Sequence, residues 1–259
     1  MIDVFSLELK EETAASPAAN YLFNVNEEGI KLEEKEAAHF HTMVAKGLFL
    51  CKRARPDIQL TIAFLSTRVK EPDNDDWNKL VRLMKYLNGT KLLVITLSAD
   101  NTNIIKWWVD ASYATHPDMK SHTGGALFLG KGAIYSTSIK QKLNVKSSTE
   151  AELVGVDDVM PQIIWTNYFL EAQGFKSKDT ILYQDNKSAI LLEKNGKASS
   201  SRRTKHINIR YFFITDRSKN GELSIEYCPT DDMVADFYTK PLQGGKFIHF
   251  RNIIMNIKK

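Results

Sequence analysis

The spacing of apolar residues changes near Gly89. From Ala37 to Gly89 they recur at helical intervals, with a break at Arg55-Pro56. Asp57 follows that break, where a helix N-cap or first-turn acid is favourable. In "PDNDDWNKLVRLMKYLNGT", Pro and Asp open a helix, and Leu80, Leu83, Met84 and Leu87 line one face. Asn88-Gly89 closes it. Residues 1–36 carry acidic clusters and a Ser-Pro-Ala break, with at most a short hairpin near 21–32, and read as a weakly structured leader.

Beyond Gly89 the pattern shortens toward a period of two. Strands are expected at "KLLVITLSAD" (91–100), at "NIIKWWVDASY" (103–113), and on both sides of the Gly130-Lys131-Gly132 turn. A capped helix follows from Ser147 to Gly174, bent at Pro161. Then come the strand "TILYQDN", the helix "KSAILLEKNG", a basic helix over 203–221, the strand "ELSIEYCPT" and a closing helix, "DDMVADFYTK". From residue 103 onward the order β-β-β-α-β-α-α-β-α predicts a mixed α/β layer with an antiparallel start. The division expected is a leader (1–36), a small helical unit (37–92), an α/β domain (93–245) and a tail (246–259).

Bulk composition changes little in this picture. The chain has 259 residues, 43% hydrophobic and 25% charged, enough to bury a real core and too apolar for wholesale disorder. Its two cysteines, Cys51 and Cys228, lie far apart, which argues against a disulfide framework or a zinc site. No signal peptide opens the chain, and no apolar run approaches the roughly 20 residues that span a bilayer. A soluble, intracellular protein is expected.

Charge matters more by place than by sum. The formal net charge is only +4. Yet from Lys194 to Thr215 there is no acid, while Lys194, Lys197, Arg202, Arg203, Lys205 and Arg210 fall there with His206 among them. Lys140, Lys142 and Lys146 form a second, shorter basic stretch. A solvated helix face accounts for such runs; so does a track for a phosphate backbone, with Ser199 to Ser201 and Thr204 as further donors.

Four acids occupy informative positions: Asp110 on an apolar strand, Glu152 in the first turns of the capped helix, Asp185 at the end of "ILYQD", and Asp236 in the closing helix. Strand ends and helix starts in such a sheet share one edge, where ligands gather. Carboxylates converging there cannot all stay ionised unaided. A hard divalent cation, Mg²⁺ or Mn²⁺, removes that objection. Two such ions about 4 Å apart suit phosphodiester hydrolysis. Any single acid reads more readily as a cap, a turn residue or a surface charge, and periodicity alone does not select these four from Glu150, Asp157 and Asp158.

The motifs "WWVDASYATHPDMKSHTGGALFLG", "KSSTEAELVGV", "YQDNKSAILLEKNG", "RRTKHINIRYFFI" and "IEYCPTDDMVADFYTKPL" together resemble the ribonuclease H domain of copia-type LTR retrotransposon Pol polyproteins. The likeness runs from about Ile104 to Leu242. The upstream segments "FHTMVAKGLFLCKRARPDIQLTIAFLSTRV" and "DDWNKLVRLMKYLNGT" resemble the thumb and connection that follow the polymerase palm. The resemblance implies a ribonuclease H-like mixed five-stranded sheet with helices on both faces, behind a small helical thumb or connection unit. It implies hydrolysis of the RNA strand of RNA–DNA hybrids with two Mg²⁺ ions, Mn²⁺ being a substitute. Asp110, Glu152, Asp185 and Asp236 are the implied catalytic metal ligands, Glu150 being the competing choice for the helix. Lys140, Lys142, Arg202, Arg203, Lys205, His206 and Arg210 are the implied nucleic-acid contacts, with a pairing or core role as the other reading of His206.

The implied partners are the hybrid and the remainder of the Pol polyprotein, in a cytoplasmic virus-like particle, with no membrane. No Tyr-x-Asp-Asp loop occurs, so polymerase activity is not expected of this chain. Competing readings are a non-catalytic connection-like module that grips primer–template, a degenerate fragment, and an integrase of related fold. The last would need an Asp-Asp-Glu order that this chain lacks.

Overall fold

The computed structural model describes residues 12–196 and 208–257. They fall into two units, one made of residues up to Thr96 together with those from Lys240 onward, the other of Leu97–Thr239.

The first unit is helical. Helix α1 (Glu34–Arg53) opens on a capping box between Glu33 and Glu36. A 3₁₀ turn (Pro56–Ile58) leads into α2 (Gln59–Ser66), and α3 spans Asn74–Gly89. Asp73 caps α3 by accepting from Asp76 N at 2.9 Å, and Asp76 accepts from Asp73 N at 3.2 Å. Leu80, Leu83, Met84 and Leu87 of α3 are buried, as their spacing requires. Leu22 and Phe23 from the leader join this core, Phe23 edge-on to Phe64 with centroids 5.5 Å apart. No hairpin forms near 21–32; the contact there is a single bridge between Lys31 and Asp73. The stretch 246–259, expected as a tail, carries most of a further helix, here α7 (Gly244–Met255), with Phe247, Phe250, Ile254 and Met255 buried.

Asp57 is the first-turn acid of the 3₁₀ turn, and its side chain caps no helix. It is buried in a bidentate pair with Arg55, at 2.8 Å to both Nε and Nη2, and accepts from Tyr86 Oη at 2.6 Å. Arg55 also donates to Thr90 O and Oγ1, at 3.0 and 2.7 Å. Burial, then the Asp57 charge, raises the Tyr86 hydroxyl pKa above its usual value, so it stays a donor.

The second unit is built on a five-stranded sheet. Its strands are β1 (Ile104–Ser112), β2 (His122–Phe128), β3 (Tyr135–Lys140), β4 (Asp179–Gln184) and β5 (Ser224–Tyr227), in the order β3-β2-β1-β4-β5. β1 pairs antiparallel with β2, and β2 with β3; β4 lies parallel to β1 and β5 parallel to β4. The sheet is mixed and five-stranded with an antiparallel start, as expected. Helix α4 (Ser148–Ala172) runs through Pro161, and α5 (Lys187–Asn195) and α6 (Asn208–Lys219) complete the helical layer.

The period of two along β1 separates two cores. Ile105, Trp107 and Val109 pack with Val156, Val159, Met160 and Ile163 of α4 and Ile214 of α6. Trp108 points the other way, stacked on Tyr183 with centroids 4.8 Å apart, against Cys228, Met233 and Ala235. That second face is covered by two 3₁₀ turns, Thr230–Asp232 and Val234–Tyr238, where one closing helix was expected. A 3₁₀ turn fits because five buried residues in a row, Val234 to Tyr238, have no polar face to give to water. The expected strand at 91–100 does not form. Its apolar residues Leu92, Val94 and Leu97 stay exposed, and only Ser98 bridges to Lys131. No helix among the described residues is long and apolar enough to cross a membrane.

Removing Asp57 would strand the Arg55 guanidinium in a buried place. Asp57→Ala should therefore lower stability by about 3–5 kcal/mol, read as a shift of the urea midpoint of the first unit's transition.

Candidate metal centre

Asp110 sits near the C-terminal end of β1. The parallel register pairs Trp108 with Tyr183, and carried two residues further it sets Asp185 beside Asp110. Asp185 follows the last residue of β4 directly, at the same sheet edge. Glu152 comes from the first turns of α4, held against the sheet by Gln141, whose Nε2 donates to Ala151 O at 2.9 Å and Thr123 Oγ1 at 3.0 Å. Carboxylate oxygens of Asp110, Glu152 and Asp185 lie within 4.8 Å of one another. Asp110 and Glu152 are buried and Asp185 is partly exposed, so the group opens to solvent on one side.

The choice between Glu150 and Glu152 has a geometric basis. Ser147 caps α4 by accepting from Glu150 N at 3.2 Å, and the Glu150 side chain accepts from Lys146 N at 2.8 Å. Glu150 is thus engaged in closing the helix start, while Glu152 faces the other acids. Asp236 lies outside the group of three, buried on the Val234–Tyr238 turn. The Cys228 thiol, pushed up to about 11 chiefly by burial, also feels the charges of Asp232, Asp185 and Asp236.

Each acid of the group has a neutral donor. Thr239 Oγ1 donates to Asp110 Oδ2, Gln184 Nε2 to Glu152 Oε2 at 3.3 Å, and Thr230 Oγ1 to Asp185 Oδ2 at 3.2 Å. Sequence reasoning missed all three; the one available signal was position, since Gln184 adjoins Asp185 and Thr239 stands three residues after Asp236. The Gly124-Gly125 pair also gains a reason. Gly124 faces Asp110 in the β1–β2 register, and a Cβ there would lie 2.7 Å from Thr239 Cγ2 and 2.9 Å from Tyr238 Cβ. Its bare backbone lets the 3₁₀ segment approach closely enough for Thr239 to reach Asp110.

A buried polar chain fixes that segment from the β2–β3 side. Ser138 Oγ donates to Tyr238 O at 2.8 Å, so it accepts from His122 Nε2 at 2.7 Å. His122 Nδ1 then accepts from His116 Nε2 at 2.9 Å. Both imidazoles are neutral here. Burial first, then Lys140, lowers His116 to about 4; burial first, then His116 itself, lowers His122 to about 3.

Of the expected nucleic-acid contacts, Lys140 is paired with Asp118 at 2.8 Å, and Lys142 is exposed just beyond β3. Arg202, Arg203, Lys205 and His206 lie outside the described residues, as does the Arg210 side chain.

The resemblance expected from the motifs is met in the chain's relatives. It is 35% identical over 206 residues to the retrovirus-related Pol polyprotein from transposon RE2 of Arabidopsis thaliana, a match covering 79% of this chain. It is 31% identical over 194 residues to that from transposon TNT 1-94 of Nicotiana tabacum, covering 74% of this chain. The chain spans 14% of the length of each. No family model matches. Among solved structures, LC11-RNase H1 isolated from compost aligns over 52% of this chain and 91% of its own, with 11% identity and a TM-score of 0.39. LC11-RNase H1 in complex with an RNA/DNA hybrid aligns over 52% and 92%, with 12% identity and a TM-score of 0.38.

The histidine pair has a pH signature. Their folded pKa values lie below the unfolded value of about 6.5, so their contribution is complete above pH 6.5 and is lost as pH falls toward 4 and 3. Between pH 6 and 5 the second unit should lose roughly 2–3 kcal/mol of stability per pH unit. Urea titrations across that range measure it, and His122→Gln should flatten the dependence.

Proposed function

We propose, on the premise of this kinship with transposon Pol polyproteins, that the chain hydrolyses the RNA strand of RNA–DNA hybrids as one part of a retrotransposon reverse transcriptase. The observation that carries the reading is the meeting of Asp110, Glu152 and Asp185 within 4.8 Å at one sheet edge. Three carboxylates with no histidine or cysteine among them are a hard donor set, suited to Mg²⁺ or Mn²⁺. Asp110, Glu152 and Asp185 would hold the ions, with Asp236 as a further ligand from the neighbouring turn. Bound there as a pair, such ions supply Lewis acidity toward a water and the scissile phosphate.

The chain's own residues do the rest. The partly exposed Asp185 gives the group its opening to substrate. Thr239, Gln184 and Thr230 hold the carboxylates in place. Exposed Lys142, with Arg202, Arg203, Lys205, His206 and Arg210, would track the phosphate backbone, and Lys140 would join them by leaving Asp118. Contacts to backbone and 2′-hydroxyl groups would make recognition largely blind to sequence. Action within a cytoplasmic particle, alongside the remainder of the polyprotein, belongs to the same proposal.

The test is cleavage of a labelled RNA–DNA hybrid by the full chain with Mg²⁺, with chelator, and by Asp185→Asn. The expected outcome is cutting of the RNA strand alone, abolished by chelator and reduced at least about 100-fold by the substitution. Hybrid binding without cutting would overturn the enzymatic reading in favour of a gripping module.

A further inference from the structure

Gln184 is the last residue of β4 and is fully buried. Its backbone is fixed from β5, where Cys228 N donates to Gln184 O at 2.9 Å. The side chain is engaged at both ends. Nε2 donates to Glu152 Oε2 at 3.3 Å, while Oε1 accepts from Asp185 N at 2.8 Å and from Asn186 N at 3.2 Å. One amide thus spans from the helix acid to the peptide that carries the strand acid. Asn186 in turn caps α5, accepting from Ser188 N and Ala189 N at 3.1 and 3.0 Å.

We infer that Gln184 is the positioning residue of the carboxylate centre, an amide clamp that sets the spacing between Glu152 and Asp185. This rests on the reading of those acids as metal ligands. The residue type follows from the two jobs. A carboxylate could accept from the Asp185 and Asn186 amides but would offer Glu152 a like charge in place of a donor. An apolar side chain of the same length would fill the space and leave two backbone N–H groups and Glu152 without their partner. An amide of this length donates at one end and accepts at the other. Gln184 need not touch the substrate or the ion; it acts through the two acids it joins.

The experiment compares the full chain with Gln184→Met and Gln184→Glu by calorimetric titration with Mn²⁺, followed by hybrid cleavage across Mn²⁺ concentrations. Gln184→Met should weaken Mn²⁺ binding by about 10–100-fold and lower kcat at limiting Mn²⁺, with KM for hybrid unchanged. Saturating Mn²⁺ should restore most of the rate. Gln184→Glu should weaken binding at least as much as Gln184→Met, because it replaces a donor to Glu152 with a carboxylate. If wild type binds Mn²⁺ and Gln184→Met binds equally well, the clamp is refuted while the metal-centre reading stands. A variant rate that saturating Mn²⁺ does not restore also refutes it, because the defect would then be one of folding. If wild type itself takes up no Mn²⁺, the metal-centre reading fails and the clamp with it.

Discussion

Like charges at the end of a sheet govern this molecule. Asp110, Glu152 and Asp185 come from β1, α4 and the end of β4, and their oxygens lie within 4.8 Å. Left alone they would repel, and burial of two of them would add a desolvation cost. Among the described residues, neutral donors meet them: Thr239, Gln184 and Thr230 each bond one carboxylate.

Holding those donors in place draws on chain segments far apart in sequence. Thr239 lies 129 residues from Asp110. It arrives there because the 3₁₀ segment lies flat on Gly124 and because the His116–His122–Ser138 chain anchors Tyr238 O. The sheet supplies two carboxylate positions by register alone, and the helix supplies the third through its capped start. The site is therefore complete only when β1, β4, α4 and the C-terminal turns are all docked.

Much of this was legible in the sequence where period and chemistry agreed. The helices of the first unit and the β1–β3 strands follow from apolar spacing, while the places of the acids at strand ends and a helix start pointed to them without selecting them. The family resemblance singled out those acids before any geometry was known. Other features were illegible for physical reasons. "KLLVITLSAD" has strand composition but pairs only at the single Ser98–Lys131 bridge, so propensity alone misled. "DDMVADFYTK" has helix-forming residues, yet its burial on both sides favours short 3₁₀ turns. Asp57 looked like a cap because its partners, Arg55 aside, come from residues as distant as Tyr86. Gln184 and Thr239 carry no charge and no motif chemistry, so only the folded geometry reveals what they hold.

The claim that this edge is a divalent-cation site is tested most directly by thermal unfolding of the full chain with Mg²⁺ and with chelator, beside Asp110→Asn. Binding to the native state alone must raise the unfolding midpoint as Mg²⁺ is added. A rise in wild type that is absent from Asp110→Asn is the predicted result. An unchanged midpoint in wild type at millimolar Mg²⁺, or an equal rise in the variant, would contradict the account.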